Sequence, residues 1–136
     1  MEIFIYVGGK LIGYSIWAWI GLYLLNRSPK IWQGLGYGFL RLVMGFVFGV
    51  IVFFTVSPDS EDALLLPYLM IYTPLRWFEW SLLLVIMTQS GSELWYSKNN
   101  WRMNAWRVGG ILISYALDFL SPEGMEGRFC VGRCLC

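Results

Sequence analysis

At 136 residues, with 57% hydrophobic, 18% aromatic and only 14% charged side chains, the chain is too poor in charge for an ordinary soluble domain, which carries about 25%. Its net charge of +1 leaves no basic excess to neutralise phosphates, and so argues against nucleic acid as a partner. Histidine is absent, which excludes imidazole acid/base chemistry, His-ligated haem and His-containing zinc sites.

The charges cluster between long apolar runs, and that pattern points to a membrane as solvent. The first run, residues 3–25, is about 33 Å long at a rise of about 1.5 Å per residue, enough to cross the hydrocarbon core. Glu2 stands where a signal peptide carries basic residues, and the run is too long for a cleaved signal, so it is expected to stay in the mature protein. Lys10 interrupts it, and Gly9 and Gly13, with Gly8 alongside, form a small-residue pair that suits close helix approach. A connection follows, in which Pro29 stops the helix and Asn26-Arg27-Ser28 matches a glycosylation sequon beside the membrane.

The second run, residues 35–56, contains Gly45 and Gly49 in a GxxxG element, with Arg41 about two turns from its start. Arg41 has two readings: a guanidinium that snorkels to the interface, or one held by a buried partner. The connection Ser57–Asp62 holds three acidic residues and a Pro58-Asp59 turn, which makes segments two and three an antiparallel pair.

The third run, residues 63–88, carries Arg76 and Glu79 deep inside an apolar stretch. Each such charge costs roughly 2.5–3.5 kcal/mol on insertion scales, so it needs a reason. The two are three residues apart and share a helix face. Tyr68, Tyr72 and Leu83 extend that face, which is expected to look into the bundle. Pro67 and Pro74 are expected to interrupt the hydrogen-bond ladder and kink the helix. Arg76-Trp77-Phe78-Glu79-Trp80 resembles the Arg-aromatic-x-acidic-Trp element of microbial rhodopsins over five residues. The seven-helix length and the retinal-bearing lysine are missing, so no family is assigned.

In the third connection Trp95, Tyr96 and Trp101, with Trp106 beyond it, read as an aromatic belt at one interface. The fourth run, residues 104–121, is just long enough to span. Arg107 near its start is expected to snorkel, Gly109 and Gly110 allow close packing, and Asp118 sits near its far end. Residues 122–136 form a tail holding all three cysteines, Cys130, Cys134 and Cys136. A disulfide or free thiols come first for these, a soft metal such as Cu(I) second and lipidation third.

The fold expected is an all-α integral membrane protein: a four-transmembrane-helix antiparallel bundle over residues 1–121, followed by the tail. Connections one and three each hold two Lys or Arg, and the second holds none. The positive-inside rule then puts both termini on the non-cytoplasmic side. Helix rise gives rough depths of 9 Å for Arg41, 12 Å for Glu79 and 16 Å for Arg76 from the inner side. From the outer side it gives roughly 5 Å for Asp118 and 10 Å for Lys10. Two charge layers follow: an inner one of Arg41, Arg76 and Glu79 beside Tyr72, with one positive charge in excess, and an outer one of Lys10 with Asp118. In the inner layer Glu79 is read as the partner of Arg76, so removing both should harm folding less than removing Glu79 alone.

No catalytic constellation is visible, so the chain is read as no enzyme, and no cofactor is assigned. The expected function is an accessory or structural subunit of a larger membrane complex, with lipids and other subunits, or further copies of itself, as partners. The alternative is a small oligomeric transporter or channel using Arg76 and Glu79. Handling of a lipid or isoprenoid phosphate by the excess positive charge is a third reading.

Overall fold

The computed structural model describes residues 2–25, 28–55, 65–89 and 100–121. The sequon at Asn26-Arg27, the acidic connection, Trp95, Tyr96 and the cysteine tail lie outside the described residues. Everything regular in the described residues is helical: α1 (Glu2–Leu24), α2 (Ile31–Thr55), α3 (Leu65–Thr88) and α4 (Trp101–Phe119). Three of these, α1, α2 and α3, are long and apolar enough to cross a membrane. Helix α4 is shorter, 19 residues, and carries Arg102, Arg107 and Asp118.

Helix α2 starts earlier than its apolar run suggests. Lys30 acts as its N-cap, and the Gln33 side chain reaches back to accept from the Lys30 backbone N–H at 3.2 Å. This is the returning half of a capping box, so residues read as connection already form the first turn. Helix α3 runs unbroken from Leu65 to Thr88 with Pro74 inside it. Pro67 falls in its first turn, where a missing N–H costs nothing. Gln89 ends α3 in the left-handed region, φ 55°, the conformation that commonly closes a helix.

Each helix contacts its neighbours in chain order and α4 returns to α1, so the four close a ring. The pairing is antiparallel throughout. Ser15 lies beside Gly38 and Trp19 beside Gly34, and Gly13 faces Leu117 while Gly21 faces Trp106. Arg41 meets Glu79, and Tyr68 meets Asp118. The buried stripes recur at helical spacing, as with Lys10, Tyr14, Ala18 and Leu22 on α1.

Glycine decides where backbones touch. A Cβ on Gly38 would sit 2.6 Å from both the Cα and the N of Ser15, atoms that cannot swing away. Gly34 and Gly38, themselves a GxxxG pair, are therefore the α1–α2 crossing. Gly8 and Gly9, expected to take a neighbouring helix, have nothing within 4 Å, and Gly45 faces only the Arg41 guanidinium at 3.0 Å. The closest backbone approach of α1 and α2 thus lies at Gly34 and Gly38. Gly38→Ala should therefore cost about 1–3 kcal/mol by forcing the helices apart. Gly36→Ala, which meets open space, should be neutral or slightly stabilising. Thermal denaturation of both variants in detergent checks the contrast.

Three tryptophans seat on glycines. Trp106 lies over Gly21, Trp17 over Gly109 and Trp80 over Gly110. Trp17 and Trp106 also exchange hydrogen bonds, each indole N–H donating to the other's backbone carbonyl at 3.0 Å. Trp106 is 2% exposed. It is a core residue clasping α1 to α4 rather than part of an interfacial belt. Trp101, 74% exposed, remains on the surface.

The polarity of the molecule is inside out. Lys10, Arg41, Arg76, Glu79, Arg107 and Asp118 are buried, while Phe4, Ile31, Phe54, Met70 and Leu112 are exposed. Water would not tolerate that surface, and a bilayer requires it. The chain is a membrane protein.

Candidate functional site

Five of the six buried charges, all but Arg107, come together in two adjacent clusters. In the first, Arg41 of α2 pairs with Glu79 of α3 at 2.5 Å, both side chains under 5% exposed. The Arg41 guanidinium also lies 5.1 Å from the ring centres of Tyr14 and Trp80. Arg41 does not snorkel; its buried partner is Glu79.

Asp118 of α4 organises the second cluster. One carboxylate oxygen takes the Lys10 ammonium at 2.8 Å and the Tyr6 hydroxyl at 3.1 Å. The other takes the Arg76 guanidinium and the Tyr68 hydroxyl at 2.5 Å. Arg76 also donates to the Tyr68 oxygen at 2.9 Å and packs over the Tyr115 ring at 4.3 Å. The Tyr72 ring packs tilted against Tyr68, 4.8 Å between ring centres, and lies beside Arg76 at 5.7 Å. Asp118 thus joins α1, α3 and α4 in one network.

The structure brings Lys10 and Asp118 together and adds Arg76 to them. Arg76 and Glu79 share a face of α3, but their side chains take different partners. The reason lies in helix geometry: Cα–Cβ bonds tilt toward the helix N-terminus. The long Arg76 side chain therefore reaches back two turns to Tyr68 and the carboxylate beside it. Glu79 is left to turn across to α2. The excess positive charge moves with Arg76. The Arg41–Glu79 cluster is neutral, and the Asp118 cluster holds two cations against one carboxylate.

Arg107 was not expected in the interior. It is fully buried, donates to the Asn104 side chain at 3.0 Å and lies 5.5 Å from the Trp77 ring centre. The signal was present in the sequence. Met103, Arg107, Gly110, Ser114 and Asp118 recur every three or four residues, and all are buried on α4.

Between α1, α2 and α3 lies a cavity of about 300 Å³. Lys10, Arg41, Arg76 and Glu79 line its polar side, with Tyr6, Tyr14 and Tyr72. Val7, Leu42, Val43 and Phe46 form its apolar side, and Gly45 and Gly49 leave it room. Val43 and Phe46 are also exposed on the outer surface of α2, so the cavity opens sideways. Among the described residues, Arg41 Nε and Arg76 Nη1 are buried nitrogens with no hydrogen-bond partner. No three His, Cys, Asp or Glu side chains gather among the described residues, and Cys130, Cys134 and Cys136 lie outside them.

Comparison with family models, curated proteins and solved structures finds no match to this chain.

Proposed function

We propose that this chain is a non-catalytic, four-span accessory subunit of a larger membrane complex. The observation that carries the reading is that Glu79 and Asp118, the carboxylates buried in the helices, are each held by cations of other helices. A proton carrier or general acid needs a carboxylate free to exchange its proton. Carboxylates tied across three interfaces fix helix register instead.

Helix α4 serves as the fourth span. Its buried stripe faces the ring, while Ala105, Val108, Leu112, Ala116 and Phe119 are exposed, with Arg102 exposed in the first turn. Beyond that first turn its exposed side is therefore apolar even though its average is not. At roughly 28 Å it matches a hydrocarbon core of about 30 Å. The antiparallel order groups the outer ends of all four helices, and the Lys and Arg bias of the connections directs both termini to the non-cytoplasmic side.

The experiment is purification from the native membrane in mild detergent, with mass spectrometry of what travels along. A subunit co-purifies with larger membrane proteins and conducts nothing when reconstituted alone. A clean homo-oligomer would overturn the reading.

The second reading is a small oligomeric transporter or channel. It is favoured by the cavity, whose wall carries both Arg76 and Glu79. Reconstituted vesicles would then show a proton or ion flux that falls at least about tenfold in Glu79→Gln, the effect expected of a group that takes part in transfer. An equal background flux in both proteins refutes it.

A further inference from the structure

We infer that the cavity between α1, α2 and α3 is a binding site for a single-chain anionic amphiphile with a small headgroup, a long-chain fatty carboxylate. Its head would sit among Arg41, Arg76 and Lys10, with its tail leaving past Val43 and Phe46 into the bilayer. The site does not depend on whether the protein acts alone or within a complex.

Charge comes first. Lys10, Arg41 and Arg76 stand against Glu79 and Asp118, one positive charge in excess. An uncompensated cation at this depth is costly, and one monoanion neutralises it. A dianionic phosphate or a diphosphate would overshoot.

Hydrogen bonding comes second. Arg41 is 2% exposed and Arg76 5%, yet each keeps a guanidinium nitrogen without a partner. Both residues line the cavity. Buried donors are normally satisfied, and a carboxylate offers about four lone-pair sites. Two arginine side chains in the wall of one small space suit a group that accepts in a plane from more than one side.

Shape and depth come third. A volume of about 300 Å³ is at the lower end for small-molecule sites, which suits one chain better than two. The rest of the wall includes Val7, Leu42, Val43 and Phe46, and the last two belong to the exposed apolar surface of α2. Lys10 is roughly 12 Å along α1 from its start, below the level of phospholipid headgroups. A head drawn that far must be small. A carboxylate carries no further polar groups to desolvate, whereas a glycerophosphate brings several. The space is built into the sequence, because Gly45 and Gly49 add no side chain to the cavity wall.

The test uses full-length protein in nonionic detergent and a diazirine-bearing palmitate as photoprobe. Crosslinks should map to α1 and α2 around residues 6–14 and 42–49. Palmitate should compete about tenfold or more better than palmityl alcohol, the gain of a charge-assisted hydrogen bond. Acetate should not compete. Val7→Trp fills the cavity from α1 without touching an ion pair, and should lose about tenfold or more of the labelling while keeping its helical circular dichroism. Ile3→Trp, at an exposed position of the same helix, should label normally. Equal competition by the alcohol, stronger competition by a lysophosphatidate, crosslinks elsewhere or full labelling of Val7→Trp each overturn the assignment.

Discussion

Asp118→Asn is expected to be the most damaging single change at a polar position. The carboxylate accepts from Tyr6, Tyr68, Lys10 and Arg76. An amide of the same shape keeps part of the hydrogen bonding and removes all of the charge. Lys10 and Arg76, 9% and 5% exposed, are then two cations in an apolar surround with nothing to balance them. Breaking one buried pair by removing a partner costs about 3–5 kcal/mol. Here one residue serves two cations, so the loss should lie at the top of that range, enough to unfold a protein of ordinary stability. Neutral hydrogen bonds in membranes average only about 0.6 kcal/mol, so the charge must dominate the effect.

Thermal denaturation in detergent, followed by circular dichroism, measures this loss. Adding Lys10→Met to Asp118→Asn should recover part of it by removing one stranded cation. If Asp118→Asn melts like the native protein, Asp118 does not hold α1, α3 and α4 together.

Much of this architecture was legible in the sequence, and the limits have a physical cause. Four apolar runs separated by prolines and charges define the four helices. The face Tyr68, Tyr72, Arg76, Glu79, Leu83 could be drawn from spacing alone, and all five are buried. In lipid, however, apolarity tells where a segment lies and not which side meets another helix. Only glycines and polar residues carry that information, and they are ambiguous. Gly9, Gly13, Gly45 and Gly49 looked as suited to a crossing as Gly34 and Gly38, and Gly34 was hidden in a segment read as connection. Trp106 and Arg107 were read as surface residues because each stands near a helix start. Both belong to the buried stripe that continues through Gly110 and Ser114 to Asp118. Depth estimates from helix rise locate α-carbons, not the charges at the ends of long side chains. They failed for Arg76 because its charge lies far from its backbone and leans toward the start of its helix.

The other large effect concerns Glu79, and it separates the observed pairing from the one spacing suggested. Glu79→Gln leaves the Arg41 guanidinium, 2% exposed, without its carboxylate. A stranded carboxylate can neutralise itself by taking a proton, but a guanidinium stays charged. Glu79→Gln should therefore cost about 3–5 kcal/mol, and Arg41→Met distinctly less. Arg41→Met with Glu79→Leu removes both charges and should cost less than Glu79→Gln alone, with a coupling of about 2 kcal/mol between the two sites. Arg76→Met with Glu79→Leu should behave in the opposite way. It strands Arg41 and takes from Asp118 one of its two cations, so the costs should add to within about 0.5 kcal/mol. The two cycles, measured by denaturation under one set of conditions, answer different questions. Strong coupling of Glu79 to Arg41 fixes α2 to α3 through that pair. Strong coupling to Arg76 instead would mean that the intrahelical pair forms in the membrane, leaving Arg41 free in the cavity wall and Asp118 dependent on Lys10 alone.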